Sequence, residues 1–268
     1  RMLDANWLLR WVSRFAVSTQ AQQLGDLTIS MLQGEHGHQV KEVEKLVDWL
    51  ASDHRPQVIN LTNVILSGMV HRLRERLNVP IIGSLQGDDI FLEMLPQAHR
   101  TKAIDLISEH CKEMQGFIAT RRYYADFMSA YLRIPRDRIE VVYPGINLKG
   151  HGRTRSASVR SDGPLTIRYF GGICSEKGFH QLVDAFIRLR ALPNAPPCRL
   201  LASGWLGKNN AGYMVDQIEK LRNANLLDNF EHIQSPDRGG KVRFLQSLDV
   251  LSVPTTYREP KGIYILEA

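Results

Sequence analysis

The chain has 268 residues, 43% hydrophobic and 23% charged, the profile of a globular protein holding one large or two medium domains. Its 34 Lys and Arg against 28 Asp and Glu give a net charge of +6, which fits an anionic ligand, an anionic membrane surface or nucleic acid without choosing among them. No run of about 18 apolar residues occurs, so no spanning helix is expected; Cys111, Cys174 and Cys198 stand far apart without metal-ligand spacing, and a reduced, cytoplasmic protein is the plainest reading.

Residues 4–17 place Trp7, Leu8, Trp11, Val12 and Phe15 at helical spacing opposite Arg10 and Arg14. A core-packing helix is expected there, with a membrane-surface helix, and so a peripheral position at the inner face of a membrane, as the alternative. The pattern predicts a second amphipathic helix over 39–51, with Val40, Val43, Leu46, Val47 and Leu50 inward. From residue 55 strands and helices alternate. Strands are expected at 56–61, 79–85, 116–120 and 138–143, with helices at 63–77, 97–114 and 123–132. That alternation means βαβ units and a parallel sheet.

Residues 149–163 are rich in Gly, Ser and Arg and read as a solvated linker, Arg153, Arg155 and Arg160 included. The α/β rhythm then restarts. Strands are predicted at 165–170, 198–202, 229–233 and 249–254, the last one buried, with helices at 179–190, 211–224 and 238–247 and a helix starting near Ile263. The expected organisation is an N-terminal domain over 1–148, the linker, and a C-terminal domain over 164–268.

Three places carry candidate chemistry. The loop 171–178 holds Gly171, Gly172 and Gly178 between a strand and a helix, with Lys177 at the helix entrance. Glycines there let backbone approach a ligand, and a lysine adds charge for a diphosphate. Gln86-Gly-Asp88-Asp89 follows a strand; hydrogen bonding to a polar substrate or capping of the next helix suits it better than a metal. Glu259 and Glu267 flank the last predicted helix start, where two acids and free N–H groups suit a ligand with hydroxyls and a phosphate, or simple helix capping. His36-Gly-His38 lacks further ligands and is expected to be a polar loop. The arginines of 72–76 and 133–138 are spread through helices rather than gathered in a stripe, which argues against nucleic acid.

Four segments together resemble the group-1 (family 4) retaining glycosyltransferases of the GT-B fold. Tyr169-Phe-Gly-Gly-Ile-Cys-Ser-Glu-Lys177-Gly178 looks like the family's strand–glycine–E-K-G–helix segment. Glu259-Pro-Lys-Gly262 to Glu267-Ala268 looks like its glutamate pair with seven residues between, and Phe244 to Pro254 like the strand that feeds it. Val142-Tyr-Pro-Gly-Ile-Asn147 resembles the crossing between domains. The resemblance implies an α/β protein of two Rossmann-like parallel-sheet domains and transfer of a hexose, with retention and without a metal, from a UDP- or GDP-linked donor to an acceptor. That acceptor is an unspecified small molecule, lipid or polysaccharide.

By the same resemblance Glu259 would hydrogen-bond the transferred sugar. Lys177 would meet the diphosphate, with Gly171, Gly172 and Gly204 lining the donor site. The amides of Lys261, Gly262 and Ile263 would meet sugar and phosphate oxygens, Glu267 would take the ribose hydroxyls, and Gln86, Asp88 and Asp89 would lie on the acceptor side. No cofactor is implied beyond the donor itself.

Departures from the pattern matter too. Gly172 stands where the family usually has an arginine, so one of two cationic phosphate contacts is missing, and Gln86 replaces a histidine. The family's opening strand and closing elements have no counterpart, so both domains are expected to be incomplete and the chain alone weakly active. A non-catalytic remnant with a partial sugar-nucleotide site is the alternative, and a sugar-nucleotide epimerase a third reading.

Overall fold

The computed structural model describes residues 21–151, 163–234, 237–247 and 249–268. The predicted helix at 4–17 and the Arg153, Arg155 and Arg160 cluster lie outside them. By its internal contacts the chain divides into two compact units, Arg1–Tyr143 and Pro144–Ala268.

The first unit opens with α1 (Ala21–Leu32), which the sequence reading left unassigned, and α2 (Val40–Trp49), which runs on into a π turn over Leu50–His54. Next come β1 (Ile59–Leu61), α3 (Val70–Leu77), β2 (Ile81–Leu85), α4 (Asp88–Glu93) and α5 (Gln97–Lys112). β3 (Gly116–Ala119), α6 (Arg122–Leu132) and β4 (Ile139–Val141) complete it. All three pairings are parallel, in the sequential order β1-β2-β3-β4.

Helical spacing decides what packs on that sheet. Ala103, Ile107 and Cys111 of α5 and Tyr124, Met128 and Leu132 of α6 are buried, as are Ile81, Leu85 and Phe117 of the strands. The helix expected at 63–77 is α-helical only from Val70; Val64–Met69 is a 3-10 turn. Several arginines of 72–76 and 133–138 face acids: Arg72 bonds Glu44 at 2.7 and 3.0 Å, Arg133 meets Asp105 at 2.8 Å and Arg136 meets Asp126 at 2.6 Å.

The second unit runs β5 (Leu165–Phe170), α7 (Phe179–Arg190), β6 (Cys198–Gly204), α8 (Ala211–Asn223), β7 (Phe230–Gln234), α9 (Arg238–Gln246), β8 (Val250–Leu251) and α10 (Ile263–Glu267). Its strands are parallel in the order β7-β6-β5-β8. The chain therefore steps outward from β5 through β6 to β7 and then returns to the other side of β5. That reversal leaves a crevice beyond the carboxyl ends of β5 and β8, the place where open α/β sheets take ligands.

One face of this sheet holds Tyr169, Phe179, Val183, Phe186, Leu200 and Leu221; the other holds Leu201, Phe244 and Leu245. The strand predicted as buried over 249–254 forms a ladder only at Val250 and Leu251, and at the sheet's edge, where Val250 is 48% exposed. Asp249 fixes it by accepting the Thr166 amide at 2.8 Å. The first residues of the expected linker, and those just before it, are held by side chains of α9. Arg238 donates to the carbonyls of Asn147 and Lys149, both at 2.8 Å, and Gln246 to that of Gly150 at 2.7 Å, so this stretch is pinned to α9.

Candidate functional site

The crevice beyond β5 and β8 is built from two loops that the backbone stitches together. The Gly171 amide donates to the Ser203 carbonyl at 3.1 Å and the Ile173 amide to that of Trp205 at 2.9 Å. Gly204 lies at φ 151°, and a Cβ there would collide with the Gly171 carbonyl oxygen, so only glycine lets the ends of β5 and β6 close up. From inside, the fully buried Tyr169 donates its hydroxyl to the Gly172 carbonyl at 2.7 Å. On the β8 side the Thr256 amide donates to the Glu176 carbonyl at 2.9 Å. Gly178, at φ 72°, has the Pro254 carbonyl where a Cβ would be. These contacts deliver Lys177 and Glu259, 82 residues apart in sequence, to one point.

There the Lys177 ammonium donates both to Glu259 Oε2 and to the Tyr257 hydroxyl. Tyr257 in turn donates to Glu259 Oε2 at 2.6 Å. Glu259 Oε1 accepts the Lys261 and Gly262 amides at 3.2 and 3.1 Å. Those two amides, expected to meet ligand oxygens, are thus turned to Glu259. Burial pushes the Glu259 carboxyl up, but the bonds from Lys177, Tyr257 and Gly262 outweigh it and hold the group below its usual range. Burial, and then the bond to Glu259, pushes the Tyr257 phenol well above its ordinary range, so it stays a proton donor.

One turn on, Glu267 is 13% exposed at its side chain, and Oε1 accepts Lys241 of α9 at 2.5 Å. The Lys241 nitrogen also stands 6.0 Å from the Phe170 ring. His151 Nδ1 donates to the Glu267 carbonyl at 3.1 Å, which steadies the end of α10. Ile263 begins that helix and is exposed. Gly171 and Gly172 are half-buried at the crevice mouth. At the entrance of α7 the His180 amide is occupied by the Tyr213 hydroxyl at 2.8 Å, so that N–H is capped internally.

In the first unit the predicted acceptor-side acids turn inward. Asp88 and Asp89 are 2% and 5% exposed. Asp88 accepts the Val64 amide at 2.8 Å through Oδ1 and the Gln86 amide at 3.1 Å through Oδ2, and burial pushes its carboxyl up. Asp89 Oδ1 accepts the Tyr124 hydroxyl at 2.5 Å, and that hydroxyl accepts the Gly87 amide at 2.8 Å. Both acids therefore brace the turn into α4. Gln86 spends its side-chain N–H on the Thr62 carbonyl at 2.5 Å. His36 and His38 lie exposed on the loop after α1, and among the described residues no three His, Cys, Asp or Glu side chains gather as a metal site.

The sequence reading named Lys177, Glu259 and Glu267 but missed Tyr257, Lys241 and Tyr169. Tyr257 was the findable one, because it lies only two residues before Glu259 in the same motif segment. Lys241 reaches Glu267 across 26 residues, with no local signal.

A model of Glycosyltransferase Family 4 matches residues 30–149, and one of Glycosyl transferases group 1 matches residues 152–268. A search of curated proteins found no match. Among solved structures the chain resembles HepE of Anabaena in complex with UDP (TM-score 0.66, 16% identity), covering 84% of this chain and 60% of that one. It also resembles sucrose-phosphate synthase of Thermosynechococcus elongatus (0.64, 19%, covering 85% and 57%). A third is the lipopolysaccharide outer core galactosyltransferase WaaB (0.60, 17%, covering 86% and 58%). The chain thus spans less than two thirds of the length of each. At these identities the structures speak for the fold; with family models matching both units, the chain belongs to the group-1, family 4 glycosyltransferases of the GT-B fold.

Proposed function

We propose that the second unit holds the donor site of a glycosyltransferase that moves a hexose from a nucleotide sugar to an acceptor with retention and without a metal ion. The observation that carries the reading is the meeting of Lys177 and Glu259 at the switch point of the β7-β6-β5-β8 sheet, with Glu267 one helical turn further. A neighbour of the same fold, HepE of Anabaena, is solved in complex with UDP and with UDP-glucose, which supports a uridine or related nucleotide as the carrier.

In this reading Lys177 faces the diphosphate. When the bond between the sugar and the diphosphate breaks, charge grows on the leaving oxygen, and a fixed ammonium there stabilises the transition state more than the ground state. Glu259 accepts hydrogen bonds from sugar hydroxyls, and Glu267 from the ribose. With Asp88 and Asp89 engaged inside the first unit, Gln86 is the one expected acceptor-side residue whose side chain stays partly accessible. The acceptor hydroxyl supplies the new bond to the sugar, and its proton leaves with the diphosphate.

The remnant reading has an observation in its favour as well: Lys177 and Glu259 neutralise each other, and Gly172 offers no second cation. Incubation of the chain with radiolabelled UDP- and GDP-sugars separates the two. Hydrolysis or transfer that disappears in Glu259→Ala supports the enzyme, whereas donor binding without turnover supports the remnant.

A further inference from the structure

Lys177 reaches Glu259 and the Tyr257 hydroxyl at once, and the Lys177 and Glu259 side chains are 25% and 15% exposed, so little water screens the charges. The Tyr257 and Tyr264 rings stand 5.0 and 5.7 Å from the ammonium nitrogen and flank it with apolar, electron-rich faces. On its other oxygen Glu259 holds the Lys261 and Gly262 amides. Lys177, Glu259 and both amides, the groups a donor would use, are therefore engaged within the site.

A carboxylate and a phosphate present the same kind of partner to an ammonium, an anionic oxygen at hydrogen-bond distance. We propose that Glu259 stands in for the donor diphosphate as the partner of Lys177, so that a nucleoside diphosphate binds by exchanging Lys177 from carboxylate to phosphate. The exchange rests on the donor-site reading and adds a regulation to it: the site is held shut by its own ion pair and opens to an anion. Tyr257 makes the exchange local. Its hydroxyl already donates to Glu259 Oε2 at 2.6 Å, so the carboxylate keeps Tyr257 and the two amides as donors once Lys177 turns away. No loop has to move; one flexible side chain does.

The two halves of the donor then respond oppositely to loss of the Glu259 charge. A sugarless diphosphate gains, because Lys177 is no longer contested, while the transferred sugar loses its acceptor. Calorimetric titration of UDP, GDP and inorganic pyrophosphate into the 268-residue chain and its variants reads this directly. Glu259→Gln keeps an oxygen for the Lys261 and Gly262 amides and is expected to tighten diphosphate binding about three- to tenfold, the scale of one charge-assisted hydrogen bond. Lys177→Met weakens binding, and Glu259→Gln has no effect in the Lys177→Met background. Glu259→Asp, one methylene shorter, is expected to tighten binding in the same direction and serves if the glutamine variant misfolds.

Unchanged or weaker binding in Glu259→Gln, beside weakened binding in Lys177→Met, overturns the exchange and leaves the donor site standing. Binding indifferent to both substitutions, or absent from the native chain and Glu259→Gln alike, overturns the donor-site reading and the exchange with it.

Discussion

Asp88 and Glu259 each occupy a loop beyond a parallel strand, and each is surrounded by hydrogen-bond donors, but the donors differ. Around Asp88 they are backbone amides of Val64 and Gln86; around Glu259 they include the ammonium of Lys177 and the phenol of Tyr257. Backbone amides cannot leave without unfolding the turn they belong to, whereas a lysine can rotate to another anion. The first acid is a strut and the second an exchangeable contact. Sheet order agrees with the contrast: the described strands of the first unit run in sequential order, while the second sheet reverses between β5 and β8, beside Lys177 and Glu259.

Four substitutions and titrations strain this contrast, beginning with the largest. Asp88→Ala takes the acceptor from the buried Val64 amide and from the half-buried Gln86 amide and is expected to cost the first unit about 2–4 kcal/mol, read by urea unfolding. A loss within about 0.5 kcal/mol would place Asp88 with the exchangeable acids after all. Tyr124→Phe removes the hydroxyl that links the Gly87 amide to Asp89 and should cost about 1–2 kcal/mol. Glu267→Gln, which leaves the fold in place, is expected to weaken UDP about tenfold through the ribose while leaving pyrophosphate unchanged. Equal weakening of both ligands would move Glu267 from the ribose to the phosphates.

The subtlest contrast is in pH. Burial raises the Asp88 carboxyl above its ordinary 3.8, so the folded first unit holds that proton more tightly than the unfolded chain. Its contribution to stability therefore declines as pH rises from 3.8 through the folded value. Glu259 is lowered from 4.5, so its contribution is present above 4.5 and is lost as pH falls through the folded value. Hydrogen exchange of the β2 and β5 amides across the acid range should show opposite slopes that vanish in Asp88→Asn and Glu259→Gln respectively. Parallel slopes would mean that the two acids are held in the same way.

Much of the fold was legible in the sequence because periodicity is local. α7 spans Phe179–Arg190 as the apolar spacing required, and β5 spans Leu165–Phe170. Errors arose where a distant partner decided the outcome. The helix expected from residue 63 starts as a 3-10 turn whose first amide is claimed by Asp88, 24 residues away. β8 was predicted as a full buried strand from its apolar run, but a run cannot tell a central strand from an edge.

The candidate site was legible to the extent that motif residues carry it: Lys177, Glu259 and Glu267 were named before any geometry. Their present partners, Tyr257 and Lys241, belong to tertiary structure. So does the mutual engagement of Lys177 and Glu259.

The central claim, that the nucleotide donor binds at the Lys177–Glu259 crevice rather than at the Gln86–Asp89 turn, is a proposal about the donor alone. Hydrogen exchange of the chain with and without saturating UDP tests it most directly. Protection is predicted over residues 171–178 and 257–267, with none over 86–89. Protection at 86–89 with no change at 171–178 and 257–267 would contradict it.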